Sequence, residues 1–476
     1  MNLIEYDAKK EYLYMIKEYL FPLLGLKEKN IVSVTLQKND FEKNVFYQNK
    51  KIYFFPYKKF LHGYYVDYSL ADEKELDLSL CNNVNNELTK VSYNNLDGST
   101  KKRNNYLNYT QCIANYKVAV QNAICEYVTG KKNSKNKVYD CNITFLSLID
   151  KLEDWSSKTY EGKKIPFGFI IDLKNKSSNN VNYLDFLDEE FSATLSDGIS
   201  SVIIIDDKGN YLGYNSIVEN NIIDKCELKN CLPIRFTQII NKNIYENSNK
   251  IGVFLLTGGD ILIAKDGCIE LIKRNGKWAN FSFNSFKNTM KNYKNAKDID
   301  IKLLEEVFST AIDVSLSHCG GIIAIVKNGN ELFSANEKES NIKKSILSEC
   351  DNFLNNYDDF QLEKILKRNG DKKYSIDKKI FKRKIIKNLL NNKEKFYDLD
   401  RKLRSELVSL DGATIIQKDG KVVSFGAIIE NEKGSSGGGR GAATRRLSDY
   451  GGLAIKISTD GYIEVYMDKE LKYFIK

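Results

Sequence analysis

The chain has 476 residues, which is enough for two to four domains with hydrophobic cores of their own. Its 42% hydrophobic and 28% charged residues are ordinary for a globular protein, and its net charge of +9 is modest for this length. Because the basic residues are scattered and form no stripe with interleaved aromatic residues, a dedicated nucleic-acid face is not expected.

Cysteine and histidine usage narrows the chemistry further. Nine cysteines without a Cys-x-x-Cys pair are typical of reduced thiols, the first residues show no signal peptide, and the apolar runs have only strand length. We therefore expect a cytoplasmic protein with no membrane partner. The two histidines, His62 and His318, exclude a histidine-rich metal centre, and His318 ends a helix pattern, where the helix dipole accounts for it.

Three regions follow one another along the chain. Residues 1–150 show helix and strand patterns but no motif that carries chemistry, so the sequence assigns them no role. Residues 151–295 are rich in strands, and Asp-Gly and Gly-Gly turns between β-branched runs predict hairpins there. Residues 296–476 begin with a well-formed helix pattern over 303–317. Within this last region, residues 335–402 are rich in lysine; we expect a solvated helical insertion there, with a binding arm as the alternative.

A candidate repeat links the second and third regions. Residues 197–217 and residues 411–429 share the order Asp-Gly, strand, Asp-containing glycine turn, strand. Residues 252–271 and 452–465 then each have the pattern strand, turn, strand. Because hairpins with Asp-Gly turns are common, coincidence is the alternative to a true repeat. If the repeat is real, the middle copy is degenerate, since it lacks the glycine-rich loop of the last copy, and it serves as a structural partner.

A glycine-rich segment in the last region, residues 433–441, has the sequence KGSSGGGRG and precedes a short helix pattern over 442–450. Backbone amides that end at a helix N-terminus bind anions, above all when arginines lie nearby. Asp411-Gly412 precedes this segment and supplies a carboxylate for a metal ion or a hydroxyl group. Together the two motifs predict a nucleotide pocket, whereas taken singly Asp411-Gly412 is also a plain turn and the glycine-rich segment a flexible loop.

The order of elements in the last region resembles the nucleotide-binding domain of DisA-type diadenylate cyclases. It runs from the helix at 303–317 through a Gly-Gly pair and a strand to Asp411-Gly412-Ala413. A strand, the glycine-rich segment and a helix then lead to the strand at 453–458. The resemblance covers residues 296–476 apart from the insertion. It implies an α/β (α+β) fold in which helices flank a mixed β-sheet, with the middle region as a degenerate repeat of the same domain.

The resemblance also implies a chemistry. Two domains face each other in a homodimer, and each ATP presents its 3′-hydroxyl to the α-phosphate of the other, with Mg²⁺ or Mn²⁺ assisting. Carried over to this chain, Asp411 and Arg440 become the catalytic residues, and Asp411 also becomes the metal ligand. The nucleotide-binding residues implied in the same way are Gly412, Ala413, Gly438, Gly439, Gly441, Thr444, Arg445 and Ser458.

This chain departs from the family pattern at its most polar positions. The family's catalytic loop carries Arg-His-Arg, with which Gly439-Arg440-Gly441 aligns here. The alternative alignment uses Thr444-Arg445-Arg446 and requires a shorter following helix. Leu410 stands where a histidine usually precedes Asp-Gly-Ala, and Thr459 stands where an acidic residue often follows the serine. Losing these groups removes transition-state stabilisation and leaves a pocket that still binds.

We therefore expect a nucleotide sensor that binds ATP or cyclic di-AMP without efficient turnover. The first alternative is an active diadenylate cyclase, in which Asp411, Arg440 and a metal ion suffice to make cyclic di-AMP from two ATP. The second alternative is a protein-interaction scaffold that binds partners through its Asn-rich N-terminal region and the lysine-rich insertion.

Overall fold

The computed structural model divides into two compact units, residues 1–288 with 475–476 and residues 289–474. Both units combine helices with β-sheets, which confirms the α+β class predicted from the sequence. The residues that the structure describes are 8–26, 30–35, 43–56, 62–68, 78–94, 109–130, 140–178, 181–217, 236–244, 249–281, 283–291, 293, 296–332, 347, 358–368, 372–391, 393–429 and 438–475.

The regular elements are numbered here in chain order over the described residues. The α-helices are α1 Ala8–Met15, α2 Ser79–Asn94, α3 Tyr109–Thr129, α4 Asp140–Ser157, α5 Thr237–Asn243, α6 Phe283–Lys291, α7 Ile301–Leu316, α8 Asp359–Arg368, α9 Lys373–Leu390, α10 Arg401–Val408 and α11 Gly438–Leu447. The β-strands are β1 Val32–Thr35, β2 Val45–Gln48, β3 Lys51–Phe54, β4 His62–Asp67, β5 Thr159–Tyr160, β6 Lys163–Lys164, β7 Phe167–Asp172, β8 Ser201–Asp206, β9 Tyr211–Ser216, β10 Lys250–Leu255, β11 Ile261–Lys265, β12 Cys268–Arg274, β13 Lys277–Asn280, β14 Gly321–Val326, β15 Ala413–Gln417, β16 Val422–Ala427, β17 Leu453–Ile457, β18 Ile463–Met467 and β19 Glu470–Ile475.

The first unit contains a small antiparallel sheet and a larger mixed sheet. The small sheet has the strand order β1-β4-β3-β2, and the larger sheet has the order β13-β12-β11-β10-β7-β8-β9. One hydrophobic cluster, with members from Tyr12 to Trp278, includes buried side chains from both sheets and from α2 to α4. The boundary expected after residue 150 lies inside α4.

The second unit is built on a six-stranded sheet with β14 near its middle. The strand order is β16-β15-β14-β17-β18-β19, and β14 runs parallel to β15 and antiparallel to β17. β14 has the sequence GIIAIV and is buried throughout, as expected for a strand covered on both faces. Side chains alternate between the faces: Ile322 shares a hydrophobic cluster with Ala443 of α11, and Gly321 lies against Val408 of α10. Helices therefore flank this mixed sheet.

The larger sheets of the two units have the same connectivity. In each, a central strand pairs in parallel with the next strand, a hairpin follows, and the chain returns antiparallel on the other side of the central strand. The first hairpins turn at glycines with nearly equal φ, 87° at Gly209 and 88° at Gly420. The Asp-Gly pairs of the candidate repeat are not in register, because β15 begins directly after Gly412, whereas β8 begins only at Ser201, beyond Gly198. The likeness therefore lies in connectivity and hairpin turns.

Two helices of the second unit begin earlier than the sequence pattern predicts. α7 begins at Ile301 because the Asp300 carboxylate caps it, accepting a hydrogen bond from the Lys302 amide at 3.0 Å. α11 begins at Gly438, although the pattern started at Ala442. Glycine lowers helix propensity by about 1 kcal/mol, so the sequence pattern conceals this first turn. The preceding part of the glycine-rich segment, residues 433–437, lies outside the described residues.

Two ion pairs join α10 to α7. The Arg401 guanidinium donates to both carboxylate oxygens of Asp313, at 2.7 and 3.1 Å, and Arg404 donates to Glu306. Asp313 and Arg404 are buried, so solvent screens these pairs only weakly. Since α10 leads into Leu410 and the start of β15, the pairs fix the point at which the chain re-enters the sheet.

We expect Asp313→Ala to lower the free energy of unfolding by about 3 kcal/mol, because it leaves the Arg401 charge without its partner in a largely buried position. The matched control is Glu406→Ala, which removes an exposed ion pair with Lys402 and should cost less than about 0.5 kcal/mol. Urea unfolding followed by circular dichroism measures both variants. Equally small losses would contradict a structural role for the Arg401–Asp313 pair.

Candidate functional site

One end of the six-stranded sheet brings together several of the residues that the sequence marks as functional, namely Asp411, Gly412, Ala413 and Ser458. The parallel strands β14 and β15 both begin at this edge. The antiparallel strands β16 and β17 both end there, since Ala427 pairs with Ala413 and Ile457 pairs with Gly321. We call this end of the sheet, from Gly320 to Gly321, Asp411 to Ala413, Ala427 to Ile428 and Ile457 to Ser458, the site edge.

The backbone at Asp411 and Gly412 lies in tight contact with the backbone of Gly426 at the site edge. Gly412 has a φ of 110°, and a Cβ atom at this position would lie 2.4 Å from the carbonyl carbon of Gly426. Only glycine fits there, because a side chain would be strained and would collide with backbone. The Asp411 side chain is exposed. Among the described residues, no hydrogen bond or ion pair engages its carboxylate, so it is available to a ligand.

The first turn of α11 is open and basic. Gly438 and Gly439 are exposed, and Cβ atoms there would meet no heavy atom within 4 Å, so no other described residue covers this turn. The turn contains no acidic residue. Arg440 extends from it to the site edge, where its Nη1 would lie 2.1 Å from a Cβ atom at Gly320. Helix N-terminal amides and a guanidinium together form a site that suits an anion.

The other α11 residues predicted to bind nucleotide are packed inside the unit. Gly441 and Thr444 are buried, and the Thr444 hydroxyl donates to the Arg440 carbonyl at 2.7 Å. Ala413 is also buried, as the first residue of β15. These three residues therefore pack around the site edge, and the side chains of Ala413 and Thr444 are not exposed there.

Arg445 belongs to a polar network away from the site edge. Its side chain hydrogen-bonds to Tyr466, whose hydroxyl also donates to Glu464 at 3.1 Å, and Lys456 donates to the same carboxylate at 2.9 Å. Burial and the negative charge of Glu464 raise the pKa of Tyr466 to about 12. Tyr466 pairs with Ala454, at the far end of β17 from Ser458. This position favours the alignment through Arg440 over the one through Arg445, and no sequence pattern predicted the network.

His318 contacts the turn that follows Ser458 at the site edge. His318 directly follows α7 and its turn, with a φ of 51°, and its Nδ1 lies 3.2 Å from the carbonyl oxygen of Thr459. Ser458 begins the same turn, and its hydroxyl accepts a hydrogen bond from the Asp460 amide at 3.3 Å. The sequence predicted a helix-terminal histidine at this position. The sequence could not show that the His318 ring contacts the backbone of the turn after Ser458.

A divalent metal ion fits this edge only together with a ligand that brings oxygen atoms of its own. Within the described ranges, no group of three His, Cys, Asp or Glu side chains is arranged to hold a metal ion. Mg²⁺ commonly binds through one or two carboxylates plus substrate phosphates, so Asp411 is sufficient as the protein ligand for a nucleotide-bound ion.

The corresponding edge of the larger sheet in the first unit is occupied by the protein's own groups. The Asp197 carboxylate accepts hydrogen bonds from its own turn, including the Ser200 amide at 2.7 Å. Burial raises the pKa of Asp197, but hydrogen bonds from Ser200 and from backbone amides bring it below its usual value. After β10, the buried Asp260 pairs with Arg274 at 2.6 Å. These carboxylates are engaged, unlike that of Asp411.

Comparisons with known proteins do not assign the chain to a family: no protein-family model and no curated protein matches it. The resemblance to diadenylate cyclases therefore stays a prediction. Over the described residues, no helix is long and apolar enough to cross a membrane.

We expect Gly412→Ala to lower the free energy of unfolding by at least about 2 kcal/mol, because it combines backbone strain with a backbone collision. Gly439→Ala is the matched control: its Cβ meets open space, and alanine favours the helix by about 1 kcal/mol. Thermal and urea unfolding measure the two variants. If the two variants had the same free energy of unfolding, position 412 would have room for a side chain and would not be in tight contact with Gly426.

Proposed function

We propose that the second unit is an adenine-nucleotide sensor that binds ATP or cyclic di-AMP at the site edge without efficient turnover. The observation that carries the proposal is the open first turn of α11 with Arg440, next to the unengaged carboxylate of Asp411. The order of elements that resembles diadenylate cyclases supports the same assignment.

The phosphate groups of the ligand bind at the start of α11. The amides at Gly438 and Gly439 donate hydrogen bonds, and the Arg440 guanidinium supplies a compensating charge. Arg440 stays close to the sheet because glycine at position 320 leaves room for its guanidinium. The phosphates thus lie between α11 and the start of β14.

The base and sugar lie along an apolar flank of the same edge. Leu410 and Ile428 are 39% and 60% exposed, which is high for side chains of their size beside a buried sheet. The Leu410 side chain, which replaces the family's histidine, thereby favours binding of a base over proton transfer.

Slow or absent turnover follows from the groups at this edge. Arg440 lacks the histidine that accompanies the corresponding arginine in the family, and His318 is engaged with Thr459. Removing a single preorganised donor costs roughly 10²–10³ in rate, so the loss of several leaves binding with little catalysis. A bound Mg²⁺ or Mn²⁺ would neutralise phosphate charge, and Asp411 is the residue that would hold it.

An active cyclase is the second candidate, and one observation favours it. Asp411 and Arg440 both lie at the site edge. Among the described residues, neither side chain has a partner that a bound ATP would first have to displace. Such a reaction joins two ATP molecules through two 3′–5′ phosphodiester bonds and releases two pyrophosphates, so it also requires a homodimer with two site edges facing each other.

Arg440→Ala is expected to weaken binding of ATP and cyclic di-AMP at least about tenfold, because it removes a charge-assisted hydrogen bond to phosphate. Titration calorimetry of the full chain measures the dissociation constants. Arg368→Ala, on the exposed end of α8, is the matched control and should bind like the unaltered protein. If the unaltered chain bound no adenine nucleotide, or if both variants bound equally, the proposed site would be wrong.

Gly320→Ala makes the same test without removing the arginine. Gly320 is not among the glycines with positive φ, and its Cβ would collide only with the movable end of Arg440. Weaker nucleotide binding with unchanged thermal stability is the expected result. Unchanged binding would show that this position of Arg440 is unimportant.

Turnover is tested by incubating the protein with ATP and Mn²⁺ and separating the products by chromatography. We expect ATP to be recovered and no cyclic di-AMP to form. If cyclic di-AMP accumulated and Asp411→Ala abolished it, the protein would be a cyclase and the sensor proposal would be overturned.

A further inference from the structure

Helix α9 of the insertion carries a stripe of exposed apolar side chains. Tyr374, Phe381, Ile385 and Leu389 are 81%, 64%, 43% and 48% exposed. Their spacing of seven, four and four residues puts them on one side of a helix. The opposite side is buried through residues that include Ile376 and Leu390. We call these four exposed side chains the α9 stripe; it faces solvent, away from the core that holds the helix.

Positive charge surrounds the α9 stripe. The α9 sequence, KYSIDKKIFKRKIIKNLL, contains seven basic residues and a single acidic one. Lys378 lies between Tyr374 and Phe381 at helical spacing, and Lys384 flanks Phe381 on the other side. Both lysines are exposed, and Lys384 also pairs with Asp359 of α8 at 2.8 Å, so Lys378 is the main cation beside the stripe. An exposed apolar stripe with lysines on its flanks is typical of a helix that meets an anionic surface.

The charge and shape of α9 limit the occupant. A second copy of the helix would bring two strongly basic surfaces together, and like charges would oppose the contact. A nucleic acid would use Tyr374 and Phe381 for stacking, but Ile385 and Leu389 have no ring to offer a base. A helix that exposes its apolar side chains to solvent suits a lipid surface, because these side chains can insert between the lipid molecules.

We propose that the α9 stripe docks on an anionic lipid surface. The four apolar side chains enter the boundary between headgroups and acyl chains, and Lys378 and Lys384 remain at the level of the lipid phosphates. Such a helix lies along the surface. The insertion then acts as a binding arm, which departs from the expectation of a solvated insertion and of no membrane partner.

The helix that bears the α9 stripe is formed before the stripe docks. Lys382 donates a hydrogen bond to the carbonyl oxygen of Gly426 in the sheet of the second unit, and Leu362 and Leu366 of α8 pack against Ile376. Because the helix is already ordered, little conformational entropy is lost when the stripe docks.

The test is sedimentation of the full chain with lipid vesicles. We expect it to bind vesicles with about one-third phosphatidylserine at least about tenfold more tightly than pure phosphatidylcholine vesicles, with binding weakened by salt. Phe381→Glu combined with Ile385→Glu should abolish binding. Val118→Glu on α3 introduces a charge at a position of similar exposure, 55%, and should bind normally.

A second variant keeps the proposal testable if the double substitution perturbs folding. Lys378→Glu leaves the apolar stripe intact and should weaken binding about tenfold, because it reverses one charge at the lipid surface. Equal binding to neutral and anionic vesicles, or equal binding by the stripe variants and the Val118 control, would overturn the proposal. Retention of an acidic amphipathic peptide without any vesicle binding would also overturn it, in favour of a protein partner. Nucleotide binding at the site edge is measured separately and does not depend on this result.

Discussion

The parallel pairing of β14 and β15 is the constraint on which the second unit depends. Parallel strands cannot be joined by a hairpin, so the chain leaves the sheet after β14, crosses one face and re-enters at the end where β14 began. This return brings Asp411 and Gly412 beside Gly320 and Gly321, although they are far apart in sequence. The ion pairs between α10 and α7 then fix where the return ends. The same return places the Asp411 carboxylate at the end of the sheet that Arg440 of α11 reaches.

Local signals in the sequence predicted a good part of this arrangement. Asp411-Gly412 before a strand, the glycine hairpin turns and the apolar stripe of α7 are set by neighbouring residues, and the structure has them where the sequence indicated. The contact of Arg440 with Gly320 and the network of Arg445 with Tyr466 join residues that only the folded sheet brings together. A sequence pattern carries no information on such pairs, which is why the alignment through Thr444 and Arg445 remained an alternative to the one through Arg440.

The two larger sheets show how little connectivity says about chemistry. Both follow the same path through a parallel pair, a hairpin and an antiparallel return, yet their edges differ. In the first unit, Asp197 caps its own turn and Asp260 pairs with Arg274, so these carboxylates contribute to stability. In the second unit, the Asp411 carboxylate is open to solvent. One scaffold therefore supports a structural edge and a candidate binding edge, and the difference lies in a few side chains.

The crossover between β14 and β15 has a consequence for how this protein can change. Any such crossover already travels outside the sheet, and lengthening it costs little loop-closure entropy, so it accepts additional helices without shifting the register of a strand. In the first unit the crossover spans residues 173–200, whereas in the second it spans residues 327–412 and houses α8, α9 and α10. Among the described helices of this crossover, α10 alone is tied to α7 by buried ion pairs. The preceding helices α8 and α9 thus form a module that can be gained, lost or altered, so the surface that they present can evolve separately from the site edge.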